Sequence, residues 1–283
     1  MPYGLVALAT AMFSVQFFFK NMFRSQYGGG IRATLLFSVG SGTVGFIIML
    51  IMNGFTFEIT PFSLIMALVV FLNNLGFSFC SFKALGKINL SLYSLFSMLG
   101  GMVLPFIAGI LFYGEDLTPG KIVCFALITA ALLLTVKRGE KKNGFIYYVG
   151  IFVLNGMSGV LSKIFKSAPF EKTSDAGYSI LCALVSIILS FVLLMILRPE
   201  KKRLGAKSIV AMAGCGVLGK VANYILLITL TSLPASAQYP FVTGGTMIMS
   251  TLLCYFTPNK PKAREIIAVA LSFIGLLSLM LIK

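Results

Sequence analysis

Residues 213–224 read AGCGVLGKVANY and combine a glycine pattern with a lysine. Gly214, Gly216 and Gly219 match the G-x-G-x-x-G of dinucleotide-binding loops, which work only where a strand enters a tight turn and a helix leaves it. This stretch instead lies between the apolar segments SIVAMA and ILLITL, and Val221 stands where a phosphate loop needs Ser or Thr. We therefore expect one continuous helix, whose glycines let neighbouring helices approach closely.

The composition predicts an integral membrane protein. The chain is 58% hydrophobic and 11% charged, with a mean hydropathy of +0.97, whereas soluble domains are about 25% charged. It contains no histidine, the side chain that most often serves in acid–base catalysis and metal binding. Its five cysteines all lie in apolar runs, where they pack as small hydrophobic residues. We expect no enzyme activity, no metal and no cofactor.

Ten apolar runs are long enough to cross a membrane as helices. Because backbone polar groups must be satisfied within the bilayer, and no alternating pattern suits a barrel, the predicted fold is an all-α integral membrane protein with ten transmembrane helices. The expected spans lie near residues 3–19, 33–53, 61–82, 90–112, 120–136, 144–162, 177–197, 208–230, 236–256 and 265–282.

The basic residues predict the orientation. The formal charge is +15, but the 23 lysines and arginines are scattered through short connections, a distribution that does not favour nucleic-acid binding. Most of them follow the odd-numbered spans. The positive-inside rule then places those connections in the cytoplasm and both termini outside. The expected location is a prokaryotic plasma (inner) membrane.

The two halves of the chain echo each other at an offset of about 145 residues. ALGKINLSLYSLFSMLGG, from residue 84, corresponds to TLTSLPASAQYPFVTGG, from residue 229. Since each half holds an odd number of spans, tandem copies must have opposite orientations, as in many transporters. We predict two inverted five-helix repeats, residues 1–139 and 140–283.

Lys220 is the strongest functional candidate. It lies about 12 residues from either end of its span, too far to reach the membrane surface easily, and a charge at the midplane costs at least about 2.5 kcal/mol. Three interpretations stay open: a cation that binds substrate, a lysine kept neutral or tied to carbonyl groups, and a proton-coupling group. We favour the first.

Polar residues near Lys220, or at related positions in the other half, complete the predicted binding site. Asn223 and Tyr224 lie one turn beyond Lys220 on the same helix. Across the approximate repeat are Asn73, Asn74 and Ser78. Such residues can line a cavity or only join helices to one another.

The fourth and ninth spans supply a second related pair. Tyr93 and Tyr239 each lie near the start of their span, where a tyrosine can either anchor at the membrane surface or face a cavity. Gln238 and Gln16 are added as donors or acceptors in the cavity, with a satisfied packing role as the alternative.

The sequence resembles the EamA-like branch of the drug/metabolite transporter superfamily. The resemblance rests on FKALGKINLSLYSLFSMLGGMVLPFIAGILFYGEDLTPGKIVCFALITAALLL, and most specifically on YGEDLT with Glu115 and Thr118; the second half has TPNKPKAREI and lacks the acid. It implies ten helices and transport, without a substrate. The first half also looks like the four-helix small multidrug resistance proteins, but its first span contains none of their membrane-embedded acids.

The predicted function is therefore secondary transport of a small metabolite, an organic anion or an amino-acid-like zwitterion, by alternating access through a central cavity. The alternatives are a multidrug or amine exporter and a lipid-carrier flippase. A membrane enzyme would need a nucleophile with a base, and no histidine or midspan acid is present. The expected partners are a small-molecule substrate and membrane lipids, with a homodimer left open and no nucleic acid.

Overall fold

A computed structural model describes residues 2–87, 90–114, 116–135, 145–197, 203–255 and 260–282. These residues form ten α-helices joined by short connections. The helices are α1 Pro2–Tyr27, α2 Ile31–Met52, α3 Pro61–Leu85, α4 Leu90–Tyr113, α5 Pro119–Thr135, α6 Phe145–Ser167, α7 Asp175–Leu197, α8 Ala206–Thr229, α9 Ala235–Cys254 and α10 Ala263–Leu281.

The predicted all-helical fold is confirmed, but two helices run further than expected. The first was expected to end at residue 19 and the sixth at residue 162, where polar residues begin. In the structure α1 continues until Gly28, whose φ of 104° breaks the helix. Pro169 follows the last turn of α6, since proline cannot continue a helix. Polar residues alone therefore did not mark the helix ends.

Helix contacts recur between the two halves. When each helix number is shifted by five, one contacting pair gives another contacting pair. In this way α1–α8 corresponds to α6–α3, α4–α6 to α9–α1, α2–α8 to α7–α3, and α4–α5 to α9–α10. The pairs α2–α7, α4–α9 and α5–α10 map onto themselves under the same shift. The spacing is nearly constant: α3 begins at Pro61 and α8 at Ala206, 145 residues later.

The outer surface of the bundle is unusually apolar. Phe112 is 80% exposed and Leu72 66%, and many other large apolar side chains face outward. Within the described residues, α1, α2, α3, α6, α7 and α8 are long and apolar enough to cross a membrane. The length of these six helices and the apolar outer surface are compatible with a membrane protein.

Small residues let α4 and α6 pack closely. A Cβ atom on Gly100 would overlap the backbone of Phe152, and one on Gly156 would meet the carbonyl oxygen of Gly100. Each glycine therefore faces the other helix rather than open space. This is the kind of contact that small residues allow between membrane helices.

Several sequence predictions fall outside the described residues. They are the boundary between residues 139 and 140, the family motif residue Glu115, and the acids Glu140 and Glu200. The other five acids lie in connections or in first helical turns, as expected: Glu58, Asp116, Glu171, Asp175 and Glu265.

We predict that Gly100→Ala destabilises the bundle by about 1 to 3 kcal/mol, because the added methyl group overpacks the α4–α6 contact. The melting temperature should fall by several degrees, as measured by circular dichroism at 222 nm. Gly4→Ala is the matched control, since no atom lies within 4 Å of its added Cβ. Equal melting temperatures for the two variants would contradict the close packing.

Candidate functional site

A cavity of about 320 Å³ lies between the two halves of the bundle, within the size range of small-molecule sites. It extends from Lys20 on α1 to Leu230, just past the end of α8, and to Tyr178 near the start of α7. Near Lys20 the cavity is closed by aromatic packing. The rings of Phe23, Phe37 and Phe82 have centroids 5.1 to 5.6 Å apart. The cavity therefore reaches the end of the bundle that carries the α6–α7 and α8–α9 connections.

Polar and charged side chains contribute much of the lining, and no described lining residue is acidic. The lining lysines, amides and aliphatic hydroxyls are Gln16, Lys20, Ser38, Ser41, Asn74, Ser78, Asn155, Ser158, Ser162, Ser179, Ser186, Lys220, Asn223 and Thr243. Aromatic rings, including those of Phe13, Phe17 and Phe77, complete the wall. Such a surface suits a polar ligand of negative charge.

The cavity draws on equivalent positions in the two halves. Seven pairs of lining residues are separated by 145 positions: Phe13 and Ser158, Phe17 and Ser162, Phe37 and Cys182, Ser41 and Ser186, Val70 and Cys215, Asn74 and Gly219, and Ser78 and Asn223. They come from the helix pairs α1 and α6, α2 and α7, and α3 and α8. The equivalent faces of these helices thus surround one space.

Lys220 reaches this cavity from the middle of α8 because α2 leaves room for it. A Cβ atom on Gly45 would overlap Cγ of Lys220, so only glycine accommodates the lysine stem there. In the described part of the chain, Lys220 makes no hydrogen bond to a carbonyl or hydroxyl and no ion pair. Its electrostatic neighbour is the Cys182 thiol, which also lines the cavity.

The stretch around Lys220 is helical throughout, as predicted. Its three glycines contact neighbouring helices: Cβ atoms on Gly214, Gly216 and Gly219 would meet the Phe19 ring, the Ser41 carbonyl oxygen and the Gln16 amide, respectively. The packing role expected for these glycines is confirmed. A nucleotide-binding loop is not formed, because no strand or turn interrupts α8.

The two neighbouring asparagines of α3 face different directions. Asn74 lines the cavity with Ser78, one turn further along. Asn73 instead points at α6, where its Nδ2 donates to the carbonyl oxygen of Leu154 and to Oγ of Ser158, both at 2.9 Å. Asn73 thus joins helices, whereas Asn74 is available to a ligand.

The side chains of Asn223 and Tyr224 also face different surroundings. Asn223 lines the cavity; its Nδ2 donates to the carbonyl oxygen of Gly219 at 2.7 Å, and its amide oxygen keeps its acceptor capacity. Tyr224 packs against a buried cluster that includes Met49 and Ile180. The structure therefore does not bring Tyr224 into the cavity.

Tyr93 and Tyr239, which the sequence analysis paired, do not occupy equivalent positions in the two halves. Tyr93 is fully buried and donates to Oγ of Ser81 at 3.0 Å. The residue 145 positions later is Gln238, also fully buried, which donates to the carbonyl oxygen of Leu226 at 2.8 Å. Both bonds tie a helix to the one before it, so Tyr93 and Gln238 lie outside the cavity.

Tyr239 and Gln16 do line the cavity. The Tyr239 hydroxyl donates to the carbonyl oxygen of Gly159 at 3.3 Å, which holds its ring at the wall. Of the ten predicted site residues, the structure brings six together around the cavity, namely Gln16, Asn74, Ser78, Lys220, Asn223 and Tyr239.

Sequence reasoning missed two important lining residues. Lys20 was assigned to the connection after the first span, because that span was expected to end at residue 19. The absence of glycine or proline between Lys20 and Gly28 was the available signal. Asn155 lies in the middle of the sixth span, so the polar-residue criterion applied to Asn73 and Asn74 would have identified it.

The described residues show no metal site. Within them, no group of three or more His, Cys, Asp or Glu side chains is arranged to bind a metal ion. All five cysteines are free thiols.

Comparison with known proteins informs the fold alone. No known family model matches the chain, and comparison with curated proteins gives no match. A solved crystal structure of another protein is similar over 99% of this chain and 96% of its own, with a TM-score of 0.67 and 16% sequence identity. The arrangement of the whole bundle is thus one found in solved structures.

The opposite directions of Asn73 and Asn74 can be tested by thiol labelling. In a background with the five native cysteines replaced by alanine, Asn74→Cys should react readily with a charged methanethiosulfonate reagent, because access controls reactivity. Asn73→Cys should resist it until the protein is unfolded. Equal labelling of the two, measured by mass spectrometry, would contradict the orientation of α3.

Proposed function

We propose that this chain is a secondary membrane transporter of a small metabolite, an organic anion or an amino-acid-like zwitterion. The observation that carries the proposal is the Lys220 ammonium, which lines a ligand-sized cavity without an acidic partner among the described lining residues. A cation held in an apolar bundle indicates a functional site, because its burial costs free energy that a ligand of opposite charge can offset.

Insertion in a membrane is supported by the apolar outer surface. Soluble proteins rarely expose contiguous apolar patches larger than a few hundred Å², whereas this bundle exposes large apolar side chains along most of its helices. Lys20, Lys220 and many of the polar residues of the helices instead line the cavity. Such an arrangement suits a bundle with lipid outside and water inside.

Alternating access is supported by the equivalent lining positions of the two halves. We propose that residues 1–139 and 140–283 are inverted repeats of a drug/metabolite transporter of the EamA-like type, with the binding site between them. Rocking of one half against the other would exchange the closed and open ends of the cavity. With the basic connections in the cytoplasm, the present cavity faces outside.

The energy source follows from the charges in the cavity. Proton exchange through a carboxylate needs an acid at the site, and no described lining residue is an acid. We therefore propose facilitated diffusion or substrate exchange. The same absence of an acid, together with the lysine, disfavours the alternative of a cationic-drug exporter.

We predict that an anion or zwitterion stabilises the folded protein through Lys220. The probes are succinate, glycerol 3-phosphate, L-glutamate and tetraethylammonium. At about 100 times its dissociation constant a ligand adds about 2.7 kcal/mol, a rise in melting temperature on the order of 5 °C. Lys220→Met should weaken binding about 10- to 100-fold, because a hydrogen bond to a charged group contributes about 1.5 to 3 kcal/mol.

Lys207→Met is the matched control, because Lys207 is an exposed lysine on the same helix. The proposal expects this variant to respond as the wild type does. A stabilising probe should also show counterflow in proteoliposomes that contain the wild-type protein. Stabilisation by tetraethylammonium alone, or an equal response of Lys220→Met and wild type, would overturn the anion or zwitterion assignment.

A further inference from the structure

A second lysine reaches the same cavity. Lys20 lies inside α1, is only 5% exposed and lines the cavity near its closed end. Its Nζ lies 4.4 Å from the ring centroid of Phe77, 5.7 Å from that of Phe82 and 6.0 Å from that of Tyr93. Three aromatic rings thus hold this ammonium in place.

The rings position the Lys20 charge but do not cancel it. Cation–π attraction offsets part of the cost of removing an ammonium from water, yet the rings carry no net charge. The described residues offer Lys20 no carboxylate and no hydrogen-bond acceptor within bonding distance. A bound anion can therefore supply the counter-charge that the described neighbours of Lys20 do not.

Gln16 lines the cavity together with the two lysines. Gln16 lies four residues before Lys20 and so on the same face of α1. Its amide faces Gly219, the residue that precedes Lys220 on α8. One ligand can therefore extend from Lys20 past Gln16 toward Lys220, while hydroxyl and amide groups contact its remaining polar atoms.

Among the described residues, no acidic side chain neutralises the pair. Among the described acids, Asp175 is paired with Lys166 at 2.7 Å and Glu265 accepts from the backbone of Lys262, and neither lines the cavity. Two like charges in an apolar environment repel each other. A ligand with a single negative charge leaves one ammonium unpaired, and the cationic group of a zwitterion is repelled.

We propose that the substrate is a small dianion whose negative groups are bound by Lys20 and Lys220. This inference rests on the proposed transport function and narrows its substrate class from anions and zwitterions to dianions. A dicarboxylate and a phosphate monoester share the required chemistry, and the two are distinguished by separate arms of the test.

The test compares ligands that differ in the second negative charge. Binding to the purified protein is measured by calorimetry for succinate against butyrate, and for glycerol 3-phosphate against its methyl phosphodiester, which carries a single negative charge. Wild type should bind at least one dianion about tenfold or more tightly than its partner. The pair that shows the preference identifies the source as carboxylate or phosphate.

Lysine variants then assign the two sites. Lys20→Met and Lys220→Met should each weaken dianion binding about 10- to 100-fold and reduce the preference for the dianion. Lys20→Arg keeps the charge and should recover part of the affinity. The matched control is Lys163→Met, since Lys163 also lies over a ring, 4.6 Å from the Tyr113 centroid, but does not line the cavity.

The outcomes separate this inference from the function on which it rests. If wild type binds butyrate as tightly as succinate, and the phosphodiester as tightly as glycerol 3-phosphate, the dianion assignment is overturned and the transport proposal stands. If no probe binds and none is transported by wild-type proteoliposomes, the proposed function itself is overturned. The wild-type comparison decides the question even where a lysine variant fails to fold.

Discussion

The cost of keeping a lysine charge inside an apolar bundle is the constraint around which this structure is arranged. Lys220 and Lys20 lie within helices whose other faces pack against neighbours or present apolar side chains to the outside. Each ammonium must reach water or an anion, because burial without compensation is expensive. The polar cavity between the halves meets that requirement. In the proposed transporter, the substrate supplies the missing negative charge.

Close helix packing determines where that cavity can form. Gly45 leaves room for the Lys220 stem, and Gly219 leaves room for the Gln16 amide. Elsewhere, buried polar side chains donate to other helices of the protein, as in the bonds made by Asn73, Tyr93 and Gln238. These bonds hold the helices at the rotations that turn Asn74 and Asn223 toward the cavity. Some polar residues of the helices thus face the cavity, whereas others bond one helix to another.

The sequence predicted the elements of the fold better than the directions of their side chains. Ten helices followed from the lengths of the apolar runs, and Lys220 from its distance to either span end. Adjacent helical residues point about 100° apart, so choosing between Asn73 and Asn74 required the rotation of α3, which depends on its contacts with α6. Tyr93 was matched to Tyr239 by residue type, whereas the constant spacing pairs it with Gln238. Lys20 was not predicted to line the cavity, because a charged residue after a run of phenylalanines was interpreted as the end of the span.

In the proposed transporter, a small dianion binds in the cavity between Lys20 and Lys220. Crystals grown with bromosuccinate locate this ligand by anomalous diffraction, because bromine marks it independently of its shape. We expect a bromine peak inside the cavity, with one carboxylate at each lysine. Bromine only on the outer surface, with a lipid or detergent chain filling the cavity, would contradict it.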